Sequence, residues 1–169
     1  MTKIFPAVLL SLALGAIGGC GFTPMYASNP KGEGVVADFA GVKVAPIPER
    51  IGQVVWNHLL DRLNPSGEPG TPDFLLKVSL AENTLGYGFR SDAAVTRESY
   101  TLEGTFQLVD QKTGEVAFED TQRSVQSFDL VQSDFANYSA RQDAKARTAE
   151  ELANLIALRL GLYFKSDAN

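Results

Sequence analysis

Two different spacings of apolar residues organise the chain after residue 41. Between Glu49 and Leu63, apolar residues recur every three or four positions, which predicts an amphipathic helix. Pro48 suits the start of such a helix, and the Asn-Pro-Ser-Gly sequence at residues 64–67 ends it. Ahead of the helix, residues 42–48 alternate and finish in proline, so we expect a short first strand there.

The middle of the chain has the spacing of two that is typical of half-buried strands. Alternation from about Asp73 predicts a second strand, and residues 83–92 either continue it as a mobile edge or form a loop, because their glycines permit both. The alternation is clearest in residues 95–109, which predicts a third strand. A compact turn at residues 110–114 then leads into a return strand over residues 115–131.

The predicted return strand has an interrupted apolar face. Val116 and Phe118 are followed at the same parity by Asp120 and Gln122, before Phe128 resumes the pattern. A bulge, an exposed middle section or a position at the edge of the sheet would each explain this interruption.

A long helix is predicted at the end of the chain. It begins between Asp134 and Ser139 and ends at about Tyr163, and Ser139 and Gln142 have the spacing of a capping box. Its packing stripe consists of Ala149, Leu152, Ala153, Ile156, Leu160 and Tyr163. The order of elements therefore predicts an α+β fold with two helices packed on one face of a four-stranded, mixed and mostly antiparallel sheet. We expect residues 42–165 to form a single domain with this fold.

The first 19 residues have the layout of a secretory signal peptide. Lys3 precedes an apolar run over residues 4–19, which ends at Cys20, the only cysteine of the chain. A membrane-spanning helix needs about 20 apolar residues. This run is shorter and contains Pro6 and Gly15, so we expect it to be cleaved.

The cleavage site resembles the lipobox of bacterial lipoproteins, in which a lipid-modified cysteine follows two small residues. Here the residues are Ile-Gly-Gly-Cys at 17–20, so Cys20 is the predicted lipid anchor. The alternative is an ordinary signal peptide before a buried free thiol, although a single cysteine cannot form an internal disulfide. Gly21 stands where lipoproteins of the inner membrane often carry aspartate, and this resemblance favours the outer membrane. We expect residues 20–41 to form a tether between the lipid anchor and the folded domain.

Composition narrows the classes of function. The formal net charge is −5, and no dense stripe of lysine or arginine is present, so we expect no nucleic-acid partner. His58, the single histidine, lies beside Asn57 and close to Asp61, but no motif supplies the nucleophile that a catalytic base would need. We therefore expect no enzymatic activity, and no cofactor apart from the covalent lipid on Cys20.

Residues along most of the mature chain resemble the LptE family of lipopolysaccharide-assembly lipoproteins. The sequence Cys-Gly-Phe-Thr-Pro-Met-Tyr at 20–26 is similar to the start of these proteins, with Met25 in place of their usual leucine. Three further segments are similar: residues 50–63, residues 100–114 and residues 152–164. No single segment is very specific, and the order of all four carries the resemblance.

The resemblance implies a function without a reaction. LptE-type proteins are lipid-anchored at the periplasmic side of the outer membrane and lie largely inside the lumen of the LptD barrel. They plug it, help its assembly and deliver lipopolysaccharide to the outer leaflet. Direct contact with lipopolysaccharide would use basic groups on strands or turns, and the candidates are Arg90, Arg97, Lys112 and Arg123. The alternative is an anchored periplasmic scaffold or binding lipoprotein with another envelope partner.

Overall fold

The computed structural model describes residues 39–89 and 95–167. The elements in chain order are β1 (Val42–Val44), α1 (Glu49–Leu63), β2 (Phe74–Phe89), β3 (Val95–Asp110), β4 (Val116–Asp129) and α2 (Asp134–Asp167). In sheet order the strands are β1-β2-β3-β4, with β1 parallel to β2 and the other neighbouring pairs antiparallel. This mixed sheet and its two helices confirm the predicted α+β fold.

The core lies between the sheet and the helices. Helix α1 packs against β1 and α2, and α2 also packs against β3 and β4. The predicted stripe of α2 is buried, with Tyr163 partly buried beside it. The largest fully buried side chains are Tyr100, Phe106, Leu59, Leu63, Leu76, Leu102, Leu108, Leu152, Ile156, Leu160, Val42 and Val44. Burial of these apolar side chains, at roughly 25 cal/mol per Å², drives the packing of the two layers.

The first strand is shorter than the sequence predicts. β1 has three residues, and its last backbone bond to β2 runs from the Ala45 N–H to the Leu76 carbonyl at 2.9 Å. The chain then turns towards α1, whose Trp56 indole N–H donates to the Val44 carbonyl at 3.3 Å. Ile47 leaves the strand path and is buried beneath Gly52, where an added Cβ would lie 2.8 Å from its Cγ2.

The second strand extends beyond the residues in which apolar and polar positions alternate clearly. Residues 83–89, which the sequence leaves open between strand and loop, belong to β2 and pair with β3 up to Phe89 and Val95. Gly88 has a φ of 76°, a left-handed conformation that glycine adopts without strain, close to the end of this ladder. The rest of that segment, residues 90–92, lies outside the described residues.

The interruption in β4 is a polar contact with α2. Asp120 and Gln122 keep the inward parity and are partly buried. The Asp120 carboxylate accepts hydrogen bonds from the Arg159 Nε–H of α2 and from the Gln122 amide at 3.2 Å. β4 is an edge strand of the described sheet, and its register shift lies beside Leu108 and Val109, away from Asp120. The interruption itself is therefore neither a bulge nor an exposed section.

The beginning of α2 differs from the predicted capping box. The helix starts at Asp134, and the Ser133 hydroxyl accepts the Ala136 N–H at 3.4 Å. Ser139 and Gln142 both lie inside the helix, so the predicted capping box is wrong. Helix α2 also extends four residues beyond Tyr163, to Asp167. Among the described residues, neither helix combines the length and apolar character that a membrane crossing requires.

Candidate interaction surface

One face of the sheet is left open by the helices and is mostly polar. The odd-numbered residues over 77–87 of β2, 97–107 of β3 and 119–129 of β4 point away from the core, and the strand register aligns them in rows across three strands. From one end of the sheet to the other, the rows are Lys77–Gln107–Glu119, Ser79–Thr105–Thr121, Ala81–Glu103–Arg123, Asn83–Thr101–Val125, Leu85–Ser99–Ser127 and Tyr87–Arg97–Asp129. We call this surface the open face.

Neighbouring side chains of the open face bond to one another across the strands. The hydroxyls of Thr105 and Thr121 are 3.0 Å apart, and the Tyr87 hydroxyl donates to the Ser127 hydroxyl at 2.9 Å. Hydroxyl pairs and opposite charges placed directly across strands stabilise a sheet by roughly 0.2–1 kcal/mol each. The open face is therefore an ordered surface of hydroxyl and amide groups.

Charges on the open face balance each other. Three basic residues share its rows with three acidic residues, namely Lys77, Arg97 and Arg123 with Glu103, Glu119 and Asp129. The Arg97 Nε–H donates to the Asp129 carboxylate at 2.6 Å, and this pairing lowers the pKa of Asp129 and raises the pKa of Arg97. The open face consequently has no formal net charge, although the whole chain has a net charge of −5.

The predicted lipopolysaccharide contacts do not form a single cluster in the described structure. Arg97 and Arg123 lie on the open face, six residues apart along the β3 register, or about 20 Å. Lys112 lies on the β3–β4 turn, about 50 Å of extended chain from Arg97. Its ammonium group pairs with Asp73 at 2.9 Å, which raises the pKa of Lys112.

The remaining candidates differ in their surroundings. Arg123 is exposed, and the described residues give it no ion-pair partner. Arg90 and the predicted lipid anchor, Cys20, lie outside the described residues. His58 is partly buried on α1. Across residues 39–89 and 95–167, no group of three or more histidine, cysteine or acidic residues is arranged to hold a metal ion.

Charged residues that the sequence analysis did not single out connect α2 to the strands. The Arg141 guanidinium binds the Glu98 carboxylate at 2.9 Å, and the Lys145 ammonium binds Glu82 at 2.8 Å. Arg141 and Lys145 lie four residues apart on α2, and this helical spacing is the sequence signal that places both on the same side of the helix. The partners on the strands are not evident from the sequence, because they depend on the register of the sheet.

Glu82, the strand partner of Lys145, makes a second contact. Its carboxylate also accepts a hydrogen bond from the buried Tyr100 hydroxyl at 2.7 Å. Burial raises the pKa of the Glu82 carboxyl, but the hydrogen bonds from Lys145 and Tyr100 outweigh it, and the pKa is lowered overall. Burial, followed by the hydrogen bond to Glu82, raises the pKa of Tyr100. Tyr100 therefore stays protonated at neutral pH and acts as a donor.

Comparison with known structures supports the fold. A candidate lipoprotein from Caulobacter crescentus aligns with a TM-score of 0.64 at 21% identity, covering 78% of this chain and 96% of that one. The rare lipoprotein B of Shewanella oneidensis aligns with a TM-score of 0.60 at 10% identity, covering 76% and 97%. A minor lipoprotein of Acinetobacter baumannii has a TM-score of 0.58 at 13% identity, with 72% and 88% covered.

Comparison of sequences identifies the family. No curated protein is significantly similar to the chain in sequence. Residues 39–160, however, match the family LptE, described as lipopolysaccharide-assembly. This match covers more than half of the chain and includes every strand, all of α1 and most of α2. The resemblance seen in the sequence is confirmed, and the chain belongs to the LptE lipopolysaccharide-assembly family.

Proposed function

We propose that this chain is an outer-membrane lipoprotein, anchored through a lipid on Cys20, that plugs the lumen of an LptD-type barrel. In that position it helps the barrel to assemble and takes part in moving lipopolysaccharide to the outer leaflet. It acts by binding and shape, without catalysing a reaction. Membership of the LptE family supports the role in lipopolysaccharide assembly.

The observation that carries the proposal is the chemistry of the open face. The lumen of a large outer-membrane barrel is polar, whereas its outer wall is apolar. A plug inside it needs a stable fold whose surface exchanges hydrogen bonds with the wall. The open face offers hydroxyl groups, such as those of Thr105 and Thr121, and its three basic and three acidic residues add no net charge. The apolar Leu85 and Val125 lie on different rows and form no continuous patch.

Direct contact with lipopolysaccharide is the second part of the proposal. The phosphate groups of this ligand require cations, and guanidinium pairs well with phosphate. Of the candidates on the open face, Arg123 is available to a ligand, whereas Arg97 is already paired with Asp129. We therefore expect Arg123 to contribute more to binding than Arg97 or Lys112.

The plug is tested by a bulky charged substitution on the open face. Thr121→Arg places a long cation in the middle of this surface, and Ser139→Arg makes the same kind of change on exposed α2. We expect Thr121→Arg to reduce the amount of barrel protein that co-purifies with the lipidated chain, while Ser139→Arg retains it. Equal recovery for both variants would contradict contact through the open face. A chain that always purifies without a barrel would favour the scaffold alternative.

The ligand contact is tested by charge reversal in purified protein. Arg123→Glu and Arg62→Glu change the net charge equally, but Arg62 lies at the end of α1 and outside the open face. Binding of purified lipopolysaccharide should weaken for Arg123→Glu and stay unchanged for Arg62→Glu. Unchanged binding after simultaneous reversal of Arg90, Arg97, Lys112 and Arg123 would refute direct contact through these residues.

A further inference from the structure

The outer edge of β2 is unpaired over most of its length in the described structure. β1 pairs only with Phe74–Leu76, and the Ala45 N–H adds the last bond, to the Leu76 carbonyl. β2 continues to Phe89. No backbone group in residues 39–89 or 95–167 pairs with this edge beyond Leu76. A row of peptide groups is thereby left without strand partners.

The hydrogen bonds around β2 show which peptide groups face outward. The Leu76 carbonyl points to β1, whereas the Asp73 carbonyl points to the other side and accepts the Gln111 N–H. Successive residues of a strand direct their peptide groups to opposite edges. The even-numbered residues therefore present N–H and C=O groups at the outer edge, and these residues are Val78, Leu80, Glu82 and Thr84.

The opposite edge of the sheet is protected, which makes the β2 edge distinctive. Proteins guard edge strands with charges, bulges and local hydrogen bonds, because exposed edges pair with other chains. In β4, the outward Thr121 N–H is bound by the Asp120 carboxylate at 2.8 Å, and a register shift interrupts the ladder beside Val109. β4 carries four charged residues, whereas residues 78–87 of β2 contain one, Glu82, and no proline.

A groove follows the unpaired edge at its start. It has a volume of about 320 Å³ and is bounded by the β2 residues from Val78 to Glu82 and by the segment from Ile47 to Ile51. Five of its eight lining residues are apolar, but polar atoms make up the larger part of its exposed wall, and its two charged lining residues, Glu49 and Glu82, are both acidic. Lys145 neutralises Glu82. Glu49 is exposed and has no ion-pair partner among the described residues.

We propose that the outer edge of β2 binds one extended segment of a partner polypeptide, which adds a strand to the sheet. Only another extended backbone repeats donors and acceptors at the spacing of this edge, and strand addition is a common mode of peptide recognition. The segment would place alternate side chains in the groove. The apolar lining residues, the polar atoms between them and the free Glu49 carboxylate fit small apolar side chains with a basic residue between them.

Amide hydrogen exchange tests this proposal on the protein as it exists. The full-length, lipidated chain is compared as a purified protein without partners and in membrane fragments of the cells that make it. We expect the Leu80, Glu82 and Thr84 amides to exchange freely in the purified chain. In the membrane fragments they should exchange at least about tenfold more slowly, which corresponds to strand hydrogen bonds of ordinary strength. The Leu102 amide, which bonds to β4 within the sheet, is the internal control and should exchange slowly in both samples.

A pair of variants at Thr84 tests whether the edge itself is responsible. Thr84→Pro removes one outward N–H without removing a bond to β3, whereas Thr84→Ala keeps that N–H. Thr84→Pro should abolish the slowing at Leu80 and Glu82, and Thr84→Ala should preserve it. Slow exchange in the purified chain would mean that the protein covers this edge itself and would overturn the proposal. Fast exchange in both samples would overturn it as well.

The outcome is independent of the proposed plug function. A barrel that co-purifies with the chain while the β2 edge exchanges freely would retain the plug and refute strand addition. A protected edge in a preparation without a barrel would retain strand addition and refute the plug.

Discussion

Gly104 lies in the middle of β3, where an added side chain would meet side chains of α2. A Cβ atom added at this position would be 3.2 Å from Leu152 Cδ2, 3.4 Å from Leu80 Cδ2 and 3.6 Å from Ile156 Cδ1. Carbon atoms in favourable contact are about 3.5–4.0 Å apart. The site therefore accepts one methyl group after small shifts, but not a branched side chain.

The expected magnitudes follow from this geometry. Gly104→Ala requires movements of a few tenths of an ångström, and it removes the cost of about 0.5–1 kcal/mol that glycine imposes within a strand. Its unfolding free energy should stay within about 1 kcal/mol of the original chain. Gly104→Val directs two more methyl groups at Leu152 and Ile156, and overpacking of this kind costs about 1–3 kcal/mol.

A double-mutant cycle with Leu152 tests the cause of this loss. Leu152→Ala alone should cost about 2–5 kcal/mol, because Leu152 is fully buried. In the Gly104→Val background, the valine methyls enter the space that Leu152 vacates. The double variant should therefore lose at least about 1 kcal/mol less than the sum of the two single losses.

Urea unfolding of the chain without residues 1–19, followed by circular dichroism, measures these free energies. Gly70→Val is the matched control, because an added Cβ at Gly70 meets no atom within 4 Å. It should change the unfolding free energy by no more than about 0.5 kcal/mol. A loss for Gly104→Val no larger than that for Gly70→Val, or additive losses at Gly104 and Leu152, would show that contact with Leu152 is not the cause.

Three further predictions concern the anchor, the polar contact beneath α2 and the start of α1. Cys20→Ser should move the protein from the membrane fraction to the soluble fraction after cell lysis, and retention on the membrane would contradict the lipid anchor. Burial raises the pKa of Asp120, but the bonds from Arg159 and the Thr121 N–H lower it overall. The ionised carboxylate therefore stabilises the fold above its usual pKa of 3.8, and this stabilisation is lost as the pH falls through its lower folded value. In urea unfolding, Asp120→Asn should be less stable than the original chain at pH 7, and the difference should narrow below pH 3.8; a constant difference would argue against the ion pair. Glu49 has a φ of 67°, a left-handed conformation that strains residues other than glycine. Glu49→Gly should therefore increase the unfolding free energy by up to about 1 kcal/mol and raise the urea midpoint. A lower midpoint would show that no strain is relieved.

Local signals explain why α1 was predicted with its observed bounds. Pro48 precedes its first residue, and Asn64 ends it by donating its backbone N–H to the Leu60 carbonyl at 2.8 Å. Both signals lie within a few residues of the helix ends, so the sequence contains them. At the start of α2, the spacing of Ser139 and Gln142 predicted a capping box, but both residues lie inside the helix. Ser133 caps the helix where the chain leaves β4, a point that depends on the sheet.

Contacts between distant residues account for the features that the sequence did not reveal. Asp120 interrupts the pattern of β4 because its partner, Arg159, lies 39 residues further along the chain. β1 ends after Val44 because the chain must turn to reach α1, and this turn uncovers the β2 edge.

The polarity of the open face was predictable from the alternation in β3, whereas the placement of its charges was not. Neighbours across strands depend on the register of β2, β3 and β4, including the shift beside Val109. This register pairs Arg97 with Asp129 and places Arg123 opposite Glu103. The basic residues could be listed from the sequence, but the strand register determines which of them is already paired and which is available to a ligand.

The proposed function requires this chain to form a stable complex with an outer-membrane barrel. Its most direct test is affinity purification of the full-length, lipidated chain from outer membranes in mild detergent and high salt, followed by native mass spectrometry. We expect a stoichiometric complex with one large barrel protein that persists through both conditions. A chain recovered alone, or with partners that are not barrels, would contradict it.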